Sequence, residues 1–381
     1  MNDELQALLN SYARYRESAV SGRYLPPQSV QQYLQQKKEV FTETLGRSVQ
    51  GRPINLMRLG SGSTRVLLWS QMHGNESTST KAVLDLINYF QQEPTDLLEA
   101  CTLFIVPQLN PDGALAYTRL NANQVDLNRD AQALTQPESR ILADLFQRVQ
   151  PNYCFNLHGQ RTLYSVGETR QSAVLSFLSP AADASRSVTL SRKQAMQLIA
   201  HMHTQLQDVL PGQIGRYDDS FNLNCVGDSF QAQGVPTLLF ESGHVPDDYA
   251  REQSRHYTTL ALISALHGLT QSSLKYTVAD YEAIPENGKR FCDLIFRGLK
   301  TNEGSVDMAF QYEEVLEGGQ IHFLPKLVQW GQDLPFYGHQ EINGKEHSLS
   351  ARDQELDWKI EMPLSDFSSP IFNTKTFSLI V

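Results

Sequence analysis

The stretch WSQMHGNESTST, residues 69–80, sets His73 and Glu76 three residues apart around a Gly-Asn turn, directly after the apolar run VLLWS. Imidazole nitrogen and carboxylate oxygen are donors that zinc accepts. A catalytic zinc needs three such protein ligands, with a fourth position left for water. Taken alone, His-x-x-Glu is equally an ordinary turn carrying two polar residues. Two further residues share its setting: His158 follows the apolar CFNL, and Glu241 ends VPTLLFE. Read alone, His158 is either a third ligand or a histidine hydrogen-bonded at a strand end. A carboxylate in the setting of Glu241 is costly unless it is paired, metal-bound or catalytic. Three ligands and one unused carboxylate form the inventory of a site that activates water at a metal.

Such a site needs strands that end close together. Up to about residue 41 the sequence is polar and helical in pattern, broken by YLPP, and GRSVQGRPINLMRLGSGSTRVLLWS then alternates and turns at glycines as paired strands do. From there strand and helix alternate. RVLLWS, CTLFIVPQL, YCFNLH and VPTLLFE read as buried strands. STKAVLDLINYFQQ, PESRILADLFQRVQ, SRKQAMQLIAHMHTQLQDVL and DDYAREQSRHYTTLALISALHGL read as helices, and NPDG reads as a turn. This rhythm predicts an α/β fold with a mixed, mostly parallel twisted sheet covered by helices on both faces, so that His73, Glu76, His158 and Glu241 collect at one sheet edge. After about residue 270 the helical pattern stops. FCDLIFRGLK, SVDMAFQYEEV, IHFLPKLVQW, LDWKIEMPL and FSLIV read as short strands, so the expected division is a domain over 1–270, including the N-terminal helical segment, and a smaller, mainly β accessory domain over 271–381.

Bulk properties narrow the partners. The 381 residues are 40% hydrophobic and 19% charged, with a formal net charge of −10, which argues against a nucleic-acid surface or an anionic membrane. No stretch approaches the roughly 18 apolar residues of a membrane span. The first twenty residues lack an uninterrupted apolar core, so no signal peptide is read. The scattered Cys101, Cys154, Cys225 and Cys292 suit a reduced, cytoplasmic protein.

The longer pattern is more specific. His73-Gly74-Asn75-Glu76, Asn110-Pro111-Asp112-Gly113, Arg119, Val125-Asp126-Leu127-Asn128-Arg129, His158 and Phe240-Glu241 follow one another in this order. In order and context they resemble the zinc carboxypeptidases, the M14-type metallopeptidases similar to carboxypeptidase A, over roughly residues 40–268. Leu45 to Ile54, LGRSVQGRPI, also resembles the leading strands of that family. The resemblance implies one zinc per chain held by His73, Glu76 and His158, with Asp126 accepting a hydrogen bond from a ligand histidine and fixing its tautomer. It implies that Arg119 polarises the scissile carbonyl, and that Asn128 and Arg129 grip the free carboxylate of the substrate. It implies that Glu241 takes a proton from the attacking water and passes it to the leaving amine. Tyr217, 24 residues before Glu241, stands about where the family carries a tyrosine on a loop that closes over substrate; it is equally a tyrosine packed at a loop base.

The sequence also departs from the family. Asp130 follows Arg129 where many relatives have asparagine, so the extra charge either weakens the carboxylate grip or answers a positive group on the substrate. Asp228 lies thirteen residues before Glu241, near where the family shapes its side-chain pocket; lining that pocket it would favour a basic or amine-bearing residue, and otherwise it forms a turn. His201 and His203, two apart on a helix, do not share a metal, and His244 suits the rim. Three activities stay open. The first is a zinc metallocarboxypeptidase acting on peptides or cell-wall-type peptides with a free carboxylate. The second is a related zinc amidohydrolase, or deacylase, acting on small N-acyl amino acids, in which the full NPDG would not be expected. The third is a non-catalytic peptide-binding member, against which Arg119 and Glu241 speak.

Overall fold

The computed structural model describes residues 3–37, 39–93, 95–271, 273–373 and 377–381. The chain divides into two compact units, Met1–Gln160 with Ala173–Asn287, and Arg161–Ser172 with Gly288–Val381.

The first unit opens with helices α1 (Asp3–Tyr15) and α2 (Pro27–Gln36) and a hairpin of β1 (Phe41–Arg47) and β2 (Pro53–Leu59). There follow β3 (Thr64–Ser70), α3 (Ser77–Gln92), α4 (Leu97–Ala100), β4 (Cys101–Val106), α5 (Pro111–Ala116), α6 (Pro137–Val149) and β5 (Tyr153–Gly159). Strand β6 (Tyr164–Val166) lies in the second unit, after which the first resumes with β7 (Leu175–Leu178), α7 (Leu190–Leu206), β8 (Ile214–Arg216), α8 (Val226–Ala232), β9 (Thr237–Ser242), α9 (Glu252–Thr270) and α10 (Val278–Glu282). Eight strands form one sheet in the order β1-β2-β4-β3-β5-β9-β7-β8. The pairs β4/β3, β3/β5, β5/β9 and β7/β8 are parallel, while β1/β2, β2/β4 and β7/β9 are antiparallel.

Both faces are buried, so the central strands alternate between two cores rather than between core and water. On β3, Val66 and Leu68 join the core under α3, α7 and α9, whereas Leu67 and Trp69 join Leu142, Phe146 and Phe230 of α6 and α8. Strand β5 does the same with Phe155 and Leu157 on one side and Cys154 on the other.

Sequence and structure differ at several element boundaries. The sequence reading starts the last long helix at Asp247, but α9 begins at Glu252, because the Asp248 carboxylate accepts the first backbone N–H groups, those of Glu252, Gln253 and Ser254. NPDG is not a turn but the start of α5: the Asn110 side chain accepts from Gly113 N at 2.9 Å, and Pro111 follows it in the first turn. Residues 271–287 belong compactly with the first unit, and α10, closed by a Thr277/Asp280 capping box, buries Tyr281 there.

An ion network fastens the N-terminal segment to α3 and α9. Arg255, wholly buried, forks onto Asp85 at 2.6 and 2.7 Å and donates to Val20 O and Glu17 O. Glu252 accepts from Lys81 at 2.9 Å, Arg16 at 2.8 Å and Arg255 at 3.0 Å. Removing one partner of such a set leaves an uncompensated buried charge.

In the second unit β11 (Phe291–Thr301), β12 (Gly304–Glu317), β13 (Gln320–Gly331), β14 (Tyr337–Asn343) and β15 (Leu379–Ile380) form a sheet ordered β14-β11-β12-β13-β15; β10 (Asn287–Lys289) pairs with β6, and α11 spans Ala351–Glu355. Phe296 and Phe310 anchor its core against Phe367, Phe372 and Phe377. No described helix is long and apolar enough to cross a membrane.

Burial raises the Glu252 carboxyl, but Lys81, Arg16 and Arg255 outweigh burial and hold it at about 2, below its ordinary 4.5. The unfolded chain therefore takes up this proton more readily than the folded one, so the stability it contributes is complete above about pH 4.5 and is lost as pH falls toward 2. In urea titrations across this range, Glu252→Gln should be less stable than wild type at pH 7. The part of the difference that vanishes on acidification should be about 1–3 kcal/mol after solvent screening. A difference independent of pH would show that the carboxylate does not act through its charge.

Candidate metal centre

Gln71, with φ of 50° just past β3, turns the chain into the segment that carries His73 and Glu76, and Glu76 N donates to His73 O at 3.1 Å. A second segment braces this turn. Asn110 donates to Met72 O at 3.1 Å, and a Cβ on Gly74 would stand 1.9 Å from Gly113 C, so the two backbones pack with no room for a side chain. Asp112 extends the brace to the β1–β2 hairpin, accepting from Ser48 Oγ at 2.8 Å, Gln50 N at 2.9 Å and Arg52 at 2.7 Å.

His158 and Glu241 are Cα partners in register on β5 and β9, so their side chains leave the same face of the sheet. His73 Nδ1 lies 2.8 Å from Glu76 Oε1 and 3.1 Å from His158 Nδ1, which is 2.9 Å from Glu76 Oε2. Gly159 N also donates to Glu76 Oε2 at 3.0 Å. The three side chains offer ligand atoms all within 4.8 Å of one another.

This donor set fits zinc. The His73 Nε2–H points at Asp126 Oδ1, 3.0 Å away, which leaves the Nδ1 lone pair facing His158 and Glu76. Two imidazole nitrogens and a carboxylate then converge where only positive charge reconciles them. Without a metal a proton must serve: burial lowers the His73 pKa, yet Glu76 and Asp126 lift it to about 9. Burial likewise raises Glu76, and the two histidines hold it well below the carboxylate range. Tetrahedral zinc ligands at 2.0–2.1 Å stand about 3.3 Å apart, close to the spacing found here.

The remaining residues surround this point. Asp126 accepts from His73, from Asn128 N at 2.9 Å and from Arg119 at 3.1 and 3.2 Å; these partners outweigh burial and hold it well below the carboxylate range. Half-exposed Arg119 also reaches Glu76 Oε1 at 3.4 Å. Buried Glu241 has its Oε2 without a partner among the described residues, and burial together with the charge of Glu76 pushes its carboxyl well up. Asn128 and Arg129 lie on a short 3-10 turn, Leu127–Arg129. Asn128 Oδ1 accepts from Val226 N at the start of α8, and Arg129 donates to Asn128 O and to Cys225 Sγ at 3.1 Å.

Asp228 is buried in the first turn of α8 and interacts with Cys225, and burial lifts its carboxyl to about 6. Tyr217 follows β8, the outer strand of the sheet, where its N donates to Phe177 O at 2.9 Å. Asp130, which the sequence suggests would either weaken a carboxylate grip or answer a positive group on the substrate, bonds within its own loop. It is buried and accepts from Thr135 N, Thr135 Oγ1 and Gln136 N, shaping its own loop. Gly159, whose only contribution is a backbone N–H, carries no signal that a sequence reader could use.

An eight-stranded mixed sheet with a His-Glu-His cluster at its strand ends defines an α/β domain with a candidate metal site, and solved carboxypeptidases share the fold. The metallo-carboxypeptidase from Burkholderia cenocepacia matches with a TM-score of 0.52 and 20% identity, covering 65% of this chain and 69% of that one. Carboxypeptidase A from Helicoverpa armigera matches with a TM-score of 0.54 and 16% identity, covering 71% and 81%. The zinc carboxypeptidase profile matches residues 28–222, and the chain belongs to that family. Among curated relatives, the probable carboxypeptidase 2 of Arthroderma benhamiae is 29% identical over 125 residues, 29% of this chain, and carboxypeptidase D of Mus musculus is 28% identical over 145 residues, 30% of this chain. The chain spans 24% of the length of the former and 10% of the latter.

Because Asp126 sets the His73 tautomer without contributing a ligand atom, Asp126→Asn should still bind zinc, but about 10- to 100-fold more weakly in competition with a chromophoric chelator. Unchanged affinity would remove Asp126 from the site.

Proposed function

We propose that the chain is a zinc-dependent metallocarboxypeptidase that hydrolyses the C-terminal amide bond of a peptide with a free carboxylate. The observation that carries this reading is the convergence of His73, Glu76 and His158 beside a buried Glu241 oxygen that has no partner among the described residues. His73, Glu76 and His158 would hold one zinc, which when bound lowers the pKa of water and polarises a carbonyl. Glu241 accepts the proton of the attacking water at its free carboxylate oxygen and delivers it to the leaving amine; burial, which raises its proton affinity, suits both steps. Arg119 turns its guanidinium to the carbonyl oxygen of the scissile bond as charge develops there. Arg129, with Asn128 behind it, takes the terminal carboxylate.

The docking of Asn110–Gly113 against the His73–Glu76 turn favours the peptidase over an amidohydrolase of small N-acyl amino acids. Intact Glu241 and Arg119 disfavour a binding protein without turnover. Peptides of cell-wall type are within the proposed substrate range, and Asp228, beside Cys225 and Arg129, supports a preference for a basic or amine-bearing terminal residue. The four free cysteines suit a reducing, cytoplasmic setting.

Two measurements test the reading. Glu241→Gln keeps the shape of the side chain but not its basicity, so hydrolysis should fall by at least about 100-fold while zinc content by mass spectrometry stays at wild-type level; full turnover would remove Glu241 from proton transfer. Converting a peptide's C-terminus to the amide should raise KM about tenfold or more, since a charge-assisted fork is lost. Equal rates on acid and amide would overturn the exopeptidase assignment.

A further inference from the structure

We infer that Arg251 is a positioning residue for the proposed hydrolysis, tying the ends of β5 and β9 together just beyond His158 and Glu241. The inference rests on the function proposed above, but its structural part stands on hydrogen bonds.

Past His158 and Glu241 the parallel ladder runs out: Gln160 N donates to Ser242 O at 3.0 Å, and both strands then leave the sheet. The carbonyls at this point are buried and need donors. Arg251, 2% exposed, adds its donors to those that Gln160 N and Ser254 Oγ already supply. Its Nη1 donates to Ser242 O at 3.1 Å and to Gly243 O, and its Nη2 donates to Gln160 O at 3.0 Å. One planar group therefore spans the residue after Gly159 on one strand and the two residues after Glu241 on the other. A lysine ammonium, a single point of charge, does not reproduce that fork.

The surroundings leave the arginine little freedom. Its backbone is left-handed, with φ of 61°, held by Arg251 N to Asp248 O at 3.0 Å, while its own carbonyl accepts from Arg255 N at 2.9 Å. Ser254 Oγ also donates to Gly243 O, at 2.7 Å. A Cβ at Gly243 would stand 1.9 Å from Ala173 O and 2.5 Å from Gln160 Nε2, so the chain passes here only as glycine. Gln160 is pinned in turn, donating to Ala173 O at 2.9 Å and accepting from Asn287 at 3.1 Å. A ligand histidine and the proposed base thus sit one or two residues from a rigid junction, and small displacements of a base relative to its target carry large rate penalties.

The test uses zinc-loaded full-length chain with Arg251→Lys and Arg251→Met, assayed on a free-acid peptide and by hydrogen–deuterium exchange. For both variants we expect zinc content at wild-type level, KM within about twofold and kcat lower by about 10- to 100-fold. Exchange should rise in fragments covering 158–161 and 241–245 and stay unchanged in β3 and β4. The lysine variant should recover little of the rate. The inference is overturned if kcat stays within about twofold of wild type, if exchange at both strand ends is unchanged, if activity falls only in proportion to lost zinc, or if Arg251→Lys fails to fold. Should wild type itself not cleave peptides, the proposed function fails, and the exchange measurement still decides whether Arg251 clamps the strands.

Discussion

Glu76 is a carboxylate taken out of water and pressed against two imidazoles, and the surrounding structure answers the electrostatic problem this creates. A buried charge without compensation costs several kcal/mol, and two imidazole lone pairs aimed at each other add to that cost. Positive charge at the centre resolves both. Asp126 and Arg119 then act as an outer layer: Asp126 turns the His73 proton outward, and Arg119 balances Asp126 while leaving half of its own surface in solvent. The cluster is poised for a cation because its second layer has already assigned the tautomer.

Rigid backbone sustains that poise. The turn that carries His73 and Glu76 is too short to hold itself, and it borrows rigidity from α5, with Gly74 against Gly113 and Asn110 capping its own helix while reaching Met72 O. Asp112 then ties the same helix to the hairpin turn at Ser48–Arg52. LGRSVQGRPI, HGNE and NPDG, scattered over almost seventy residues, are therefore three parts of one contact, and the spacing between them follows from β2, β3, α3, α4 and β4 running between those parts.

The sequence was informative wherever a residue type is costly in any other role. His73, Glu76, His158 and Glu241 each follow an apolar run, and the alternating strand and helix pattern anticipates the eight-stranded sheet with both faces covered. It was less informative where one side chain has two inexpensive uses. Asp130 is an acid beside an arginine in one dimension, but in three it bonds to the next turn of its own loop. NPDG looks like a turn because a helix start and a turn use the same residues for the same reason, side-chain acceptance of a free backbone N–H. Arg251 and Arg255 left no trace, since nothing in their neighbourhood distinguishes a buried arginine from a surface one. The excursion Arg161–Ser172, which leaves the first unit for the second, is too short to show a change of composition.

The first turn of α9 joins two systems that differ in their response to pH. Arg251 faces the strand ends and donates to neutral carbonyls, whereas Glu252 and Arg255, on the next residues round the helix, bind the N-terminal segment through charges. Carbonyl acceptors do not titrate, so acid has no direct hold on the junction beneath His158 and Glu241. Protonating Glu252 removes the partner of Lys81 and Arg16 and loosens α1 and the segment after it from α3. The N-terminal segment therefore loses this tie only as pH approaches about 2, where Glu252 takes up its proton. The Arg251 junction itself is built from backbone carbonyls and a guanidinium, groups that keep their protonation over the whole range in which carboxylates change theirs.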